Sequence, residues 1–438
     1  MTVTLTDVEA ARERLAGVPQ VSETPVVESA SLGEAVGADV RLKFEHLQKT
    51  GSFKPRGAYN TVAELVASDR EVERVVAASA GNHAQGVAFA ATELGLDATV
   101  VMPETAPQTK VDATRGYGAT VELIGETFAA ATTAARELAT DPETAFVHAY
   151  DDPAVVAGQG TLGLELLEQV PELDTVVVPV GGGGLIAGVA TALRGRGSDA
   201  RIVGVQAEGA ATLPQSLSAG HPVDVDDPDT IADGIATGGV AELTYEVIAE
   251  HVDEVVTVSD AEIASATLWL LERAKQLVEG AAATSVAALQ SGALETAPSE
   301  TIVPLLCGGN VDTATLQDVL TRALVDRNQF VTVHVRIDDR PGVLGEIAEI
   351  VGDYDTNIRS VRHDRSEAGL PVGKAHLVFR VTTPGNAALE GLLAEIDAAG
   401  YTVRRVVPEG ASDLPLEGDA IGDSDGGGES QPDNDSVV

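Results

Sequence analysis

From about residue 74 to residue 210, short β-branched runs alternate with helical stretches, and this alternation constrains the fold more than any other feature of the chain. RVVAAS (74–79) leads into GVAFAATEL, ATVVMP (98–103) into QTKVDATRGYG, and ATVELIG (119–125) into FAAATTAARELA. AFVHAY, DTVVVPV (174–180) and RIVGVQAE (201–208) repeat the scheme. Strands that are apolar along their whole length and separated by helices are buried on both faces, which predicts an α/β fold built on parallel sheets. A helical region from Asp260 to about Leu294 precedes one more buried strand, TIVPLLC (301–307). Near the start, Thr6-Asp7-Val8-Glu9 has the pattern of a capping box, and Gly17 stands where the first helix would close.

The pattern changes near Ala323–Gln329. VTVHVRID (331–338) alternates strictly, with one polar face. A turn and helix, DRPGVLGEIAEIVGDY, follow it, then the strands NIRSVRHDR and KAHLVFRVTT, the helix AALEGLLAEIDAAG and the strand YTVRRVV. This is a ferredoxin-like βαββαβ unit whose antiparallel sheet carries helices on one face. The expected organisation is a unit over 1–325, with a smaller subdomain at about 48–150 inserted in it, and a second unit over 326–408. Residues 409–438 hold nine acidic and no basic residues among many Gly and Ser, the composition of a disordered tail.

A net charge of −40 argues against nucleic-acid binding and against anionic membranes, both of which need a basic surface. Such a surface is heavily hydrated and suits high salt, as do six lysines against twenty-two arginines. The single cysteine, Cys307, allows no intrachain disulfide. The first residues lack the charged-then-apolar leader of a signal peptide, and no apolar run approaches the ~20 residues of a membrane span, so the cytoplasm is the expected location.

Four segments carry chemistry. In Ser52-Phe53-Lys54-Pro55-Arg56-Gly57-Ala58, the proline suits the first position of a helix, which puts Lys54 at a helix entrance. Burial and the helix dipole there both disfavour an ammonium, and an amine of lowered pKa is what imine chemistry needs. Ser79-Ala80-Gly81-Asn82-His83 joins a strand to a helix, where free backbone N–H groups can bind an anion such as a carboxylate. Gly181-Gly182-Gly183-Gly184 also joins strand to helix and lets the backbone approach a phosphate; with Glu208 ending the next strand, a dinucleotide site is the lesser alternative. Cys307-Gly308-Gly309-Asn310 lies at the end of a buried strand, where open parallel sheets gather ligands; a lone buried cysteine is otherwise a small core residue.

Together KTGSFKPRGAYN (49–60), SAGNHAQGVA (79–88), PVGGGGLIAGVA (179–190), VEGAAATSVAAL (278–289) and CGGN (307–310) resemble the fold-type II, tryptophan synthase β-like pyridoxal 5′-phosphate enzymes of the threonine ammonia-lyase and serine racemase branch. The resemblance implies two open parallel-sheet subdomains. It implies that Lys54 carries the cofactor as its Schiff-base lysine, with Phe53 against it and lending a backbone N–H to the phosphate. Asn82 would meet the cofactor's 3′-hydroxyl, and Gly181, Gly182, Gly183, Gly184 and the Leu185 backbone would cradle its phosphate. Ser79, Gly81 and His83 would bind the substrate carboxylate, and Cys307 would face the pyridine nitrogen. A neutral thiol there cannot keep that nitrogen protonated, which favours elimination over transamination. Ala80 stands where serine racemases have a second basic serine, and Thr212 and Pro214 break their metal loop, so no metal is expected. The implied activity is deamination of L-threonine, and of L-serine, to a 2-oxo acid and ammonia.

The C-terminal unit resembles an ACT regulatory domain. Arg340, Pro341, Gly342, Val343 and Leu344 fit its first strand-to-helix loop, and Asn357 fits its second strand. The resemblance implies an amino-acid effector, with isoleucine as the natural candidate, and pairing of subunits into a dimer or tetramer.

Overall fold

The computed structural model describes residues 3–365 and 370–406. The acidic stretch 409–438 lies outside the described residues. In chain order the elements are α1 (Leu5–Leu15), β1 (Val26–Glu28), α2 (Ala30–Val36), β2 (Asp39–Lys43), α3 (Lys54–Ala67), β3 (Arg74–Ala78), α4 (Asn82–Leu94), β4 (Asp97–Met102), α5 (Gln108–Gly116), β5 (Thr120–Leu123), α6 (Phe128–Leu138), β6 (Thr144–Phe146), α7 (Pro153–Gln169), β7 (Thr175–Pro179), α8 (Gly184–Gly195), β8 (Arg201–Ala207), α9 (Leu213–Ala219), α10 (Glu242–His251), β9 (Glu254–Val258), α11 (Asp260–Trp269), α12 (Gly280–Gln290), β10 (Thr301–Pro304) and α13 (Thr313–Asp326). Then follow β11 (Phe330–Asp338), α14 (Val343–Asp353), β12 (Asn357–Asp364), β13 (Lys374–Thr382), α15 (Asn386–Ala398) and β14 (Thr402–Val406).

A six-stranded sheet runs β1-β2-β10-β7-β8-β9, parallel except for the antiparallel edge strand β1. A four-stranded, wholly parallel sheet runs β5-β4-β3-β6, and all its strands fall in the chain between β2 and β7. Val-rich central strands explain both: every residue of β7 is buried, because helices cover the sheet on each face. The alternation in the sequence predicts β3 to β8 and β10. It gives no sign of β1, β2 and β9, whose apolar runs are broken by the charged Glu28, Asp39, Arg41 and Glu254.

One local expectation is corrected. The first helix is capped two residues earlier than the Thr6 to Glu9 pattern predicts, by Thr4 with Asp7. The Asp7 carboxylate accepts the Thr4 N–H at 2.8 Å while Thr4 Oγ1 accepts the Asp7 N–H at 3.4 Å, so the same reciprocal cap forms two residues upstream.

The third sheet is antiparallel, in the order β12-β13-β11-β14, the ferredoxin-like arrangement. Val331, Val333, Val335 and Ile337 of β11 point to one face and pack with Ile347 and Val351 of α14 and Leu389 and Leu392 of α15. Thr332, His334, Arg336 and Asp338 point to the other.

Candidate active site

The chemistry-bearing loops meet at the C-terminal ends of parallel strands, where helix N-termini converge. β3 ends at Ala78 and α4 opens at Asn82; β7 ends at Pro179 and α8 opens at Gly184. Lys54 is the first residue of α3, with Pro55 behind it. Ser52 bridges Gly308 in antiparallel fashion, and the Phe53 N–H donates to Cys307 O at 3.1 Å, so the residues before Lys54 are sewn to the end of β10. That bond engages the Phe53 N–H within the protein. The Phe53 ring lies with the Lys54 ammonium 5.0 Å from its centroid.

Lys54 Nζ donates to Ala149 O at 3.1 Å. Burial pulls its pKa down to about 8, against a smaller opposing pull from Cys307 and Glu279. Cys307 is buried, and burial followed by the nearby Glu279 pushes its thiol well above the ordinary range, so it is uncharged at neutral pH. His83 is also buried; its Nε2 pairs with Val147 O at 2.9 Å, and burial together with the Lys54 charge lowers it to about 3. Its side chain is therefore a neutral structural group anchored on the residue after β6. Ser79 Oγ accepts the Gly81 N–H at 3.1 Å, which shapes the turn into α4.

Glu279 is the residue that reading the sequence missed. It precedes α12, is buried, and accepts from Asn82 Nδ2 at 2.8 Å and from the Asn310 N–H at 3.2 Å. Asn310 Nδ2 in turn donates to Asn82 Oδ1 at 2.7 Å. Burial raises the Glu279 carboxyl to about 7, within the range where it exchanges a proton at neutral pH. The only hint in the sequence is an acid inside VEGAAATSVAAL, a segment otherwise small and apolar. Tyr150 was missed as well: it follows Ala149, its ring lies against Gly182, and its Cβ and backbone lie against Gly184.

The glycine loop is built of backbone alone. A Cβ on Gly181 would stand 2.9 Å from Ile235 Cα, one on Gly182 would fall within the Tyr150 ring, and Gly183 has φ +88°. Thr244 Oγ1 donates to Gly182 O at 2.8 Å and fixes the loop from α10. Leu185, the next residue, is buried in the core.

A buried charge network holds the start of α3 from behind. Arg56 bonds Glu45 through Nε at 2.8 Å and Nη2 at 2.9 Å, and Glu165 through Nη1 at 2.6 Å. Lys43 Nζ joins Glu165 at 2.8 Å. Burial alone would raise the Glu45 carboxyl, but the Arg56 charge and hydrogen bonds outweigh it and hold it below the usual range.

The residues expected to bind an effector lie on the third sheet. Arg340 and Pro341 form the turn after β11, Gly342 caps α14 with φ +97°, and Asn357 opens β12. Val343 is only 2% exposed and belongs to the sheet's core, whereas Leu344 is 45% exposed.

These residues fit a phosphate-bearing aldehyde. An amine that loses its proton readily stands beside an uncharged thiol, and the glycine loop opening α8 offers backbone N–H groups that carry no side chains of their own. Ser52 Oγ is buried without a protein partner. No group of His, Cys, Asp and Glu that could hold a metal occurs among the described residues.

The fold and this site define an α/β protein whose parallel-sheet strand ends gather a lysine of lowered pKa, an uncharged thiol and a glycine loop. The chain belongs to the pyridoxal-phosphate dependent enzymes: the profile of that family matches residues 18–308, and that of the ACT domain matches residues 331–400. It is 42% identical over 404 residues to the L-threonine ammonia-lyase of Thermotoga maritima, covering 92% of this chain and 100% of that protein. Among solved structures, the processed threonine deaminase isoform 2 of Solanum lycopersicum superposes with a TM-score of 0.67 at 37% identity, over 73% of this chain and 87% of that one. Maize serine racemase superposes with a TM-score of 0.68 at 34% identity, over 74% of this chain and 98% of that one.

Proposed function

We propose that the protein deaminates L-threonine, and L-serine as a second substrate, to 2-oxobutanoate or pyruvate and ammonia. Its half-buried Lys54, whose pKa desolvation lowers, beside a thiol that burial keeps uncharged carries this reading. Pyridoxal phosphate supplies the electron sink that acidifies the substrate's Cα–H and lets the β-hydroxyl leave. Lys54 would hold the cofactor and would serve as the base for the substrate's α-proton, since a pKa of about 8 lets its amine both accept and return a proton near neutral pH. Gly181 to Gly184 and the Leu185 backbone hold the phosphate, and Asn82, oriented by Glu279 and Asn310, meets the cofactor's hydroxyl. The backbone of Ser79, Gly81 and His83 at the start of α4 receives the substrate carboxylate. Cys307, uncharged, would be a neutral neighbour for the cofactor's ring nitrogen and would favour elimination over transamination.

We further propose that residues 1–325 form the catalytic unit, with the smaller subdomain at about 48–150, and residues 326–408 the regulatory one. The turn Arg340 to Leu344 with Asn357 would take an amino-acid effector, isoleucine first, in keeping with a role in isoleucine biosynthesis, a catabolic threonine dehydratase being the alternative. One regulatory sheet per chain calls for pairing between subunits. Among the described residues no helix is long and apolar enough to cross a membrane, which agrees with a cytoplasmic location. A chain of net charge −40 would need high salt for full stability.

The test is 2-oxo-acid formation by the holoenzyme from L-threonine and from L-serine, with and without isoleucine. Fastest turnover of threonine, slowed by isoleucine, is expected; no 2-oxo acid from either substrate defeats the reading. D-serine as the main product from L-serine would favour racemisation, the alternative that likeness to maize serine racemase raises and Ala80 opposes.

A further inference from the structure

The open face of the regulatory sheet is basic, in a chain whose net charge is −40. Directly paired residues share a face, and the register pairs Arg380 with Thr332 and Ser360, Arg336 with His376 and Thr402, Arg404 with His334, Arg362 with Val378 and Asp338 with Lys374. Arg336, Arg362, Arg380, Arg404 and Lys374 therefore lie together on the side away from α14 and α15, against two carboxylates, Asp338 and Asp364. The carboxylates are matched by ion pairs of Lys374 with Asp338 at 2.5 Å and Arg362 with Asp364 at 3.4 Å, which leaves a net excess of positive charge.

β14 delivers the chain to this face. Val406, the last described residue, lines a cavity of about 220 Å³ together with Thr332, Arg380 and Thr321 and Val325 of α13. The residues beyond it carry nine carboxylates and no cation between 409 and 438. Thr332 to Asp338 spans about 20 Å at the rise of a strand, well within the reach of thirty residues.

We infer that the acidic segment 409–438 docks on this basic face of its own chain's regulatory sheet. Tethering supplies a millimolar-scale effective concentration, so weak charge pairing is enough to hold it. The segment shields the arginines from the acidic surfaces of other molecules and lies against α13, the helix that joins the two units.

Zero-length carbodiimide coupling of the full chain tests this, because Lys374 is the one lysine on the face and only six lysines occur in the chain. Equal parts of isotope-labelled and unlabelled protein separate couplings within a chain from those between chains. The expected product joins Lys374 to carboxylates of 409–438 within one chain, and it falls about tenfold in Arg336→Gln/Arg380→Gln, as loss of surface charge pairing requires. A synthetic 409–438 peptide should bind a chain ending at Pro408 more tightly than the full chain, and lose that binding when its acids are replaced by Asn and Gln. Lys374 coupling only to Asp338 or to another chain's acids, or peptide binding that ignores the arginine and acid substitutions, overturns the inference. In the between-chain case a second copy holds the face.

Discussion

The parallel sheets of the catalytic unit and the antiparallel sheet of the regulatory unit solve burial in opposite ways. β7 is buried along both sides, so nothing on its faces can meet a ligand, and chemistry is confined to strand ends and the loops beyond them. β11 alternates, burying Val331, Val333, Val335 and Ile337 and presenting Thr332, His334, Arg336 and Asp338. Covered sheets create deep sites where desolvation shifts Lys54, Glu279 and Cys307; the half-covered sheet leaves its polar groups hydrated and offers a broad charged surface.

The largest effect should come from the deep site. Lys54→Ala should reduce threonine turnover to background with the far-ultraviolet dichroism unchanged; residual turnover near the parent rate would remove Lys54 from the chemistry. Next, Arg56→Met leaves Glu45 buried and uncompensated and should cost about 3–5 kcal/mol in denaturant unfolding, whereas Arg362→Met, in an exposed pair on the regulatory sheet, should cost about 0–1. Equal costs would erase the contrast between the two regions.

Packing gives a smaller contrast. In Gly188→Ala the methyl would collide with Val156 O and the Gly160 backbone where α8 crosses α7, and should cost about 1–3 kcal/mol. Gly345→Ala in α14 meets nothing within 4 Å and should add about 0.5–1 kcal/mol through helix propensity. The smallest effect is a slope with pH. Lys54 falls from an ordinary 10.5 to about 8, so the folded apoprotein binds fewer protons than the unfolded chain between those values. Its stability should rise with pH across that window relative to Lys54→Met, with the full penalty of the buried ammonium present below about 8. Urea unfolding of both proteins across that range measures the difference, and parallel curves would show Lys54 to be solvated.

The sequence by itself determined the alternation of β3 to β8 with helices, the βαββαβ unit, the glycine loop and the lysine at a helix entrance. Those features arise from neighbours: β-branched runs, proline at a first helical turn, four glycines between a strand and a helix. Only the tertiary structure decided that Glu279 meets Asn82 across 197 positions, that Arg56 meets Glu165 across 109, that Tyr150 covers the glycine loop, and that the Phe53 N–H is already taken by Cys307. Periodicity and propensity describe a residue's surroundings over a few positions. A shifted pKa or an occupied hydrogen bond depends on which distant groups have displaced water from around it, and only the folded packing decides that.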